Sequence, residues 1–265
     1  MNRPYVAASN YLNAAPLCYS FIRGEQRSSC EFLSDAAPAW CAELLKEGRA
    51  DAALIPVIEY QRIPGLRIVR GVSVASKSTV LSVILASRVP IERVKSVALD
   101  TSSRTSAALI RIILGHFYGL QPSYRTCLPE IDQMLVADEA ALIIGDPAML
   151  IDRSSLHVYD LAEEWRKQTG LPFVFAFWAI REGSKSCPWS VDFAAAKREG
   201  LARIDDIADS YAERLGLSRE SIIAYLTKNI SYDLDEESLR GLRTYYELAR
   251  DCGLIEEVRE LEFWD

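Results

Sequence analysis

The feature that most constrains this chain is an alternation of short β-rich runs with helical stretches, started twice. Residues 5–9 read as a strand, 14–24 as a helix, 30–33 as a strand, 37–48 as an amphipathic helix and 52–57 as a buried strand. A second series repeats the order: a strand at 97–99, a helix at 104–118, a strand at 124–128, a helix near 131–137 and a strand at 141–144. Each strand so flanked can bury both faces only under helices, so this order predicts an α/β fold with a mostly parallel sheet covered on both sides. Gly48 ends the second helix as a terminal glycine does, and Pro56 marks where the third strand leaves its sheet.

Between the two series lie β-rich runs at 66–74 and 80–86, separated by the polar Ser76-Lys77-Ser78-Thr79. After the second series, residues 172–180 are apolar and β-rich, which returns the chain to the first unit, and 191–214, 219–227 and 235–252 read as helices. Two α/β units with two extended connections predict two lobes and a central cleft. Residues 1–90 with 174–265 form one lobe, carrying the C-terminal helices, and 91–173 form the other. The chain is expected to cross near 88–92 and 170–176. Ligands of open α/β sheets bind beyond the carboxyl ends of strands, so a site is expected after Ser9, Val57, Leu99 and Ile144.

Charge narrows the ligand. The net charge of −7 and pI near 5.1 give no general attraction for nucleic acid or an anionic membrane, so an anionic ligand needs local groups. The longest apolar stretch, 171–180, is far short of the ~20 residues of a membrane helix. Met1-Asn2-Arg3-Pro4 leads straight into the first strand with no apolar signal core, so a cytoplasmic protein is expected. Cys18, Cys30, Cys41, Cys127, Cys187 and Cys252 are scattered without a C-x-x-C pair and read as reduced thiols. With His116 and His157 the only histidines, neither beside a cysteine, no metal site is expected. No G-x-G-x-x-G, G-K-[ST] or G-x-S-x-G occurs, which removes nucleotide loops and the serine-hydrolase elbow.

Four segments can carry chemistry. In Ser9-Asn10-Tyr11-Leu12-Asn13, at the end of the first strand, Asn13 either caps the next helix or offers its amide to a ligand, and Tyr11 is either packed or part of a polar floor. Asp100-Thr101-Ser102-Ser103-Arg104-Thr105-Ser106 gathers five hydroxylated residues at a helix start. Hydroxyls, free N–H groups and the helix dipole suit a carboxylate there, and a cap alone does not need so many donors. Ser82 interrupts an apolar strand, and its hydroxyl must find a backbone carbonyl or a ligand. In Ile144-Gly145-Asp146-Pro147, Gly145 allows close backbone approach, while Asp146 reads as an N-cap or an acid. Glu59 and Glu130 are possible bases, and Trp165 and Trp178 are core or cleft wall.

Taken in order, these segments resemble the chorismate dehydratase family of menaquinone biosynthesis. The matching pieces are Ser9-x-Tyr11-Leu12-Asn13-x-x-Pro16-Leu17, Ala53-Leu54-Ile55-Pro56-Val57-x-Glu59-Tyr60, Val80-Leu81-Ser82-Val83, Ser102-Ser103-Arg104-Thr105-Ser106 and Ile143-Ile144-Gly145-Asp146-Pro147-Ala148. The resemblance implies the type II periplasmic-binding-protein fold used as an enzyme, a carbon–oxygen lyase of the futalosine pathway. It converts chorismate to 3-[(1-carboxyvinyl)oxy]benzoate and water without a cofactor. It puts catalysis on Asn13 and Ser82, and substrate binding on Tyr11, Pro56, Ser102, Ser103, Arg104, Thr105, Ser106, Gly145 and Asp146. Two alternatives share the fold: a carboxylate-binding protein without catalysis, and the related enzyme that cyclises a futalosine derivative to a dihydroxynaphthoate. The latter carries a histidine base where this chain reads Gly145-Asp146, which disfavours it.

Overall fold

A computed structural model describes residues 3–34, 37–183 and 190–264. Met1, Asn2 and Cys187, used above, lie outside them. The first series folds as β1 (Tyr5–Ala7), a 3-10 turn (Leu12–Ala14), α1 (Ala15–Ile22), β2 (Glu31–Leu33), α2 (Pro38–Lys46), β3 (Ala52–Pro56), α3 (Val57–Arg62) and the long β4 (Leu66–Ser76). All five residues of β3 are buried, as a strand covered on both faces requires. The helix α3 was not expected. Its Val57-Ile58-Glu59-Tyr60 run is buried throughout and has no period separating it from the strand before it.

The chain then changes sheet. β5 (Val83–Ser87), β6 (Ser96–Asp100), β7 (Ser123–Cys127), β8 (Ala140–Ile144) and β9 (His157–Asp160) form a second sheet in the order β7-β6-β8-β5-β9. Between them lie α4 (Thr105–Ile112), extended by a π-helical turn (Ile113–Phe117), α5 (Ile131–Ala137) and α6 (Asp146–Met149). β5 therefore pairs in the second sheet, and the change of sheet falls between Ser76 and Val83, ahead of the break expected at 88–92.

The chain returns through α7 (Leu161–Thr169) to β10 (Phe173–Arg181), which inserts between β3 and β4. Then follow α8 (Phe193–Ala202), α9 (Ile204–Leu215), α10 (Arg219–Ala224) with a π-helical turn (Tyr225–Asn229), α11 (Glu236–Asp251) and a short β11 (Phe263–Trp264) beside β4. Residues 191–214 are thus two helices, broken at Arg203.

Neither sheet is as parallel as expected. β10 runs antiparallel to both β3 and β4, and β5 antiparallel to β8 and β9, while β1, β2, β3 and β6, β7, β8 keep the parallel order. The antiparallel strands are those that flank the two changes of sheet.

Trp165 and Trp178 are fully buried, so both belong to the core, and the Trp165 indole N–H donates to Pro172 O at 3.1 Å. Gly200 lets α8 lie on α1: a Cβ there would stand 1.7 Å from Pro16 O. Among the described residues no helix is long and apolar enough to cross a membrane.

Candidate active site

A pocket partly open to solvent lies where the carboxyl ends of β1, β3, β6 and β8 meet. Most of the expected site residues line it: Tyr11 and Asn13 after β1, Pro56 at the end of β3, Ser102 to Ser106 after β6, and Gly145 after β8. Ser82 and Asp146 are adjacent but do not line it. The sequence reading missed the apolar wall, to which Phe175 of β10 and Val83 of β5 contribute. The 172–180 run was legible as a strand, but nothing local shows which of its side chains turn inward.

Asn13 does not cap α1. Ala14 holds that position with no side-chain bond, and the Asn13 carboxamide makes no side-chain hydrogen bond to another described residue. The Tyr11 ring lies flat on Gly145, whose φ is +69°; a Cβ there would come within 2.7 Å of the ring carbons. Burial pushes the Tyr11 phenol above its usual range, and the nearby Asp100 and Asp146 act the same way, opposed by the neighbouring Ser102 hydroxyl.

The 100–106 turn is built on Asp100. Its Oδ1 accepts from Ser102 N–H at 2.8 Å and from Ser102 Oγ–H at 2.6 Å, and Ser103 N–H donates to Asp100 O at 3.0 Å. Its Oδ2 is buried without a hydrogen-bond partner, and so is Ser103 Oγ. Burial pushes the Asp100 carboxyl up, opposed by the two Ser102 bonds and by the Ile144 amide, which faces it without closing a hydrogen bond. No serine caps α4: its cap position is Arg104, and no side chain bonds the first N–H groups. The start of α4, with the positive end of the helix dipole, lies at the cavity, which Arg104, Thr105 and Ser106 line.

Arg104 is neither solvated nor a free cation. It donates to Glu59 at 2.8 Å and Glu43 at 2.7 Å, which ties the second sheet's turn to α3 and α2. Glu59 also pairs with Arg62 at 2.9 Å, so the possible base is spent on a buried ion-pair network. The Thr105 hydroxyl accepts from Ile58 N–H at 3.3 Å, and Thr105 O accepts from Tyr245 O–H at 3.0 Å. Glu130 bonds Gln133 on the surface, away from the cavity.

Asp146 does not cap α6 either. Gly145 holds that position, and the Asp146 carboxylate spans to Leu12 N–H at 2.8 Å and Arg214 at 2.6 Å. Both partners lie on the first-sheet side, more than sixty residues away in sequence. Arg214 was invisible to local reading.

Ser82 sits just before β5, fully buried. Tyr225 O–H donates to its Oγ at 2.6 Å, and Gly145 N–H donates to its carbonyl at 2.7 Å. Ser82 N–H closes on Val80 O at 2.7 Å across Leu81, which has φ +61°. An i to i+2 bond with a positive φ is the rarer, strained γ-turn, and a leucine there is unfavourable. The Asp160 carboxylate holds it, accepting from Val80 N–H at 2.9 Å and Leu81 N–H at 2.6 Å. Burial pushes the Cys30 and Cys41 thiols up to about 11 and about 12, which makes these two poor nucleophiles.

Two mixed sheets exchanged by the chain at two points, with a cavity between them, define the periplasmic-binding-protein class of fold. A protein of Archaeoglobus fulgidus superposes with a TM-score of 0.77 at 20% identity, covering 96% of this chain and 98% of its own. The alkanesulfonate-binding protein of Xanthomonas axonopodis pv. citri, bound to MOPS, gives 0.70 at 13% identity over 97% of this chain and 95% of its own. At these identities the likeness concerns the fold. Sequence narrows the class: residues 4–251 match the menaquinone biosynthesis family, and the chain belongs to it. The chorismate dehydratase of Thermus thermophilus is 32% identical, over 92% of this chain and 95% of that one.

Proposed function

We propose that this protein is a chorismate dehydratase, a hydro-lyase that converts chorismate to 3-[(1-carboxyvinyl)oxy]benzoate and water in the cytoplasm. The observation that carries the reading is the 32% identity to the Thermus thermophilus enzyme across nearly the whole of both chains. The site supports it chemically. Chorismate is a dianion, and the protein's net charge of −7 cannot draw it in. The uncapped start of α4, with Ser103 and Ser106 beside it, supplies local positive potential and donors for one carboxylate.

Loss of the proton on the ether-bearing carbon and of the neighbouring hydroxyl makes a benzene ring, so the substrate supplies much of the driving force. Holding it in the reactive geometry is then most of the protein's task. We assign that to Asn13, whose carboxamide is uncommitted, and to Ser82, whose hydroxyl accepts from Tyr225 and keeps its own O–H to donate to a substrate carboxylate. The proton goes to the substrate's own side-chain carboxylate. We further take the two sheets as two lobes, with the crossings at 77–82 and 161–172.

Incubation with chorismate tests this: the diene absorbance should disappear and the aromatic ether accumulate, identified by mass. Tight binding of a carboxylate without turnover would instead favour a binding module. Asn13→Ala should cut kcat while leaving the melting temperature nearly unchanged.

A further inference from the structure

We propose that Tyr11, Ser102 and Asp100 form a proton relay that protonates the departing hydroxyl, with Tyr11 meeting the substrate and Asp100 holding the proton. This rests on the dehydration reading above and fills a gap in it. Hydroxide is a poor leaving group and needs an acid in the transition state. The substrate's carboxylate accounts for the proton removed from carbon and leaves the departing oxygen without a donor.

The ionisable side chains lining the cavity, among the described residues, are Tyr11 and Arg104. Arg104 does not give up its proton and is committed to Glu43 and Glu59. Tyr11 remains. Its phenol lies within reach of the Ser102 hydroxyl, which in turn stands 2.6 Å from Asp100 Oδ1. Asp100 is 1% exposed, with Oδ2 unpartnered. Burial penalises an ionised carboxylate so placed and pushes it above its usual range; protonated on Oδ1, it would donate to Ser102 and turn that O–H toward Tyr11.

The groups around Asp100 are few. Ser102 and the Ile144 amide face it, Tyr11 approaches from the turn after β1, and Cys127 pairs with it from the β7 ladder. Arg104, on the same turn, is neutralised by two glutamates. Asp146 also lies near Tyr11, and burial pushes it up too, but both its oxygens are committed, to Leu12 N–H and the Arg214 cation, which oppose that shift. Of the two acids beside Tyr11, Asp100 alone has an uncommitted oxygen.

The step balances without another reagent. The C–H bond on the ether-bearing carbon breaks, and its electron pair becomes the new ring double bond. The neighbouring C–O bond breaks with its pair on oxygen, which takes the Tyr11 proton and leaves as water. Tyr11 is reprotonated by Ser102, and Ser102 by Asp100, which is left ionised. The proton held by the substrate carboxyl passes to solvent after product release, and Asp100 recovers one from solvent.

The test is kcat and KM from pH 5 to pH 10 for the wild type, Asp100→Asn, Tyr11→Phe and the double variant. Asn keeps the acceptor for Ser102 and removes the acid. Wild-type kcat should fall on the alkaline side as Asp100 loses its proton. Asp100→Asn should lose about a hundredfold in kcat with KM little changed, and its alkaline limb should vanish. Tyr11→Phe should lose a similar factor, and the double variant little more than either, because one chain is cut twice. Ser102→Ala cuts it between intact ends and serves if Asp100→Asn does not fold. Unchanged kcat and pH profile in Asp100→Asn or Ser102→Ala, or losses that multiply in the double variant, would overturn the relay. A wild type that does not convert chorismate overturns the dehydration reading itself, a result the variants cannot produce.

Discussion

At the start of α7 the Asp160 carboxylate accepts from Ala162 N–H at 3.0 Å and Glu163 N–H at 3.2 Å, while also holding Val80 and Leu81. At the start of α4 five hydroxylated residues are at hand, yet no side chain caps the helix and Ser103 Oγ has no partner. The helices α8, α10 and α11 follow α7, capped by Asp192, Ser218 and Asp235. One carboxylate suffices to close a helix start, and at α4 Ser102 and Thr105 spend their hydroxyls on Asp100 and Ile58 instead, so this cluster is not a redundant cap. α1, α2, α3, α5, α6 and α9 also start without a side-chain cap, so what sets the α4 start apart is the set of hydroxyl groups without hydrogen-bond partners among the described residues, gathered beside it and facing the cavity.

The sharpest way to break the comparison is Asp160→Ala. It frees four N–H groups and releases the strained turn at Leu81, so stability should fall by about 3 kcal/mol or more in urea unfolding. If Ser103→Ala costs as much, the two helix starts are alike. Gly145→Ala comes next: positive φ and contact with the Tyr11 ring should cost about 1–3 kcal/mol and displace Tyr11, lowering kcat as well. Ser103→Asp puts a carboxylate at the α4 start. KM for chorismate should rise about tenfold, a loss of about 1.4 kcal/mol, while the melting temperature holds or rises slightly.

The smallest effect is a pH dependence at α11. Partial burial opposes ionisation of Asp235, yet hydrogen bonds from Lys77 and Ser238 hold its carboxyl down at about 2. A carboxyl lowered on folding stabilises the native state above its unfolded value, and that contribution is lost as pH falls through the folded one. Amide exchange in the first turn of α11 should therefore speed up between about pH 4 and pH 2. The first turn of α4, with no carboxylate cap to lose, should show no matching step.

The alternation of strands and helices was legible because β3, β5 and β8 are short runs of buried aliphatic residues set between helical periods. β9 was missed: His157-Val158-Tyr159-Asp160 is polar at both ends and becomes a strand only by pairing with β5. The 100–106 turn stood out through its hydroxyl density. What its groups do was hidden, since a cap and a ligand site use the same residue types. Asp146 and Ser82 were visible as polar interruptions, but Arg214 and Tyr225 engage them from 68 and 143 residues away, where no local pattern reaches.

Ser76 and Phe173, the last residue of β4 and the first of β10, are ladder partners. The chain therefore leaves the first sheet and comes back to it at neighbouring points, about 5 Å apart. Everything between those points, the whole second sheet, enters and leaves at one end of the β4–β10 ladder, so tearing that ladder would loosen both connections at once. The ion pairs Arg104–Glu43 and Asp146–Arg214 join the two sheets away from that end.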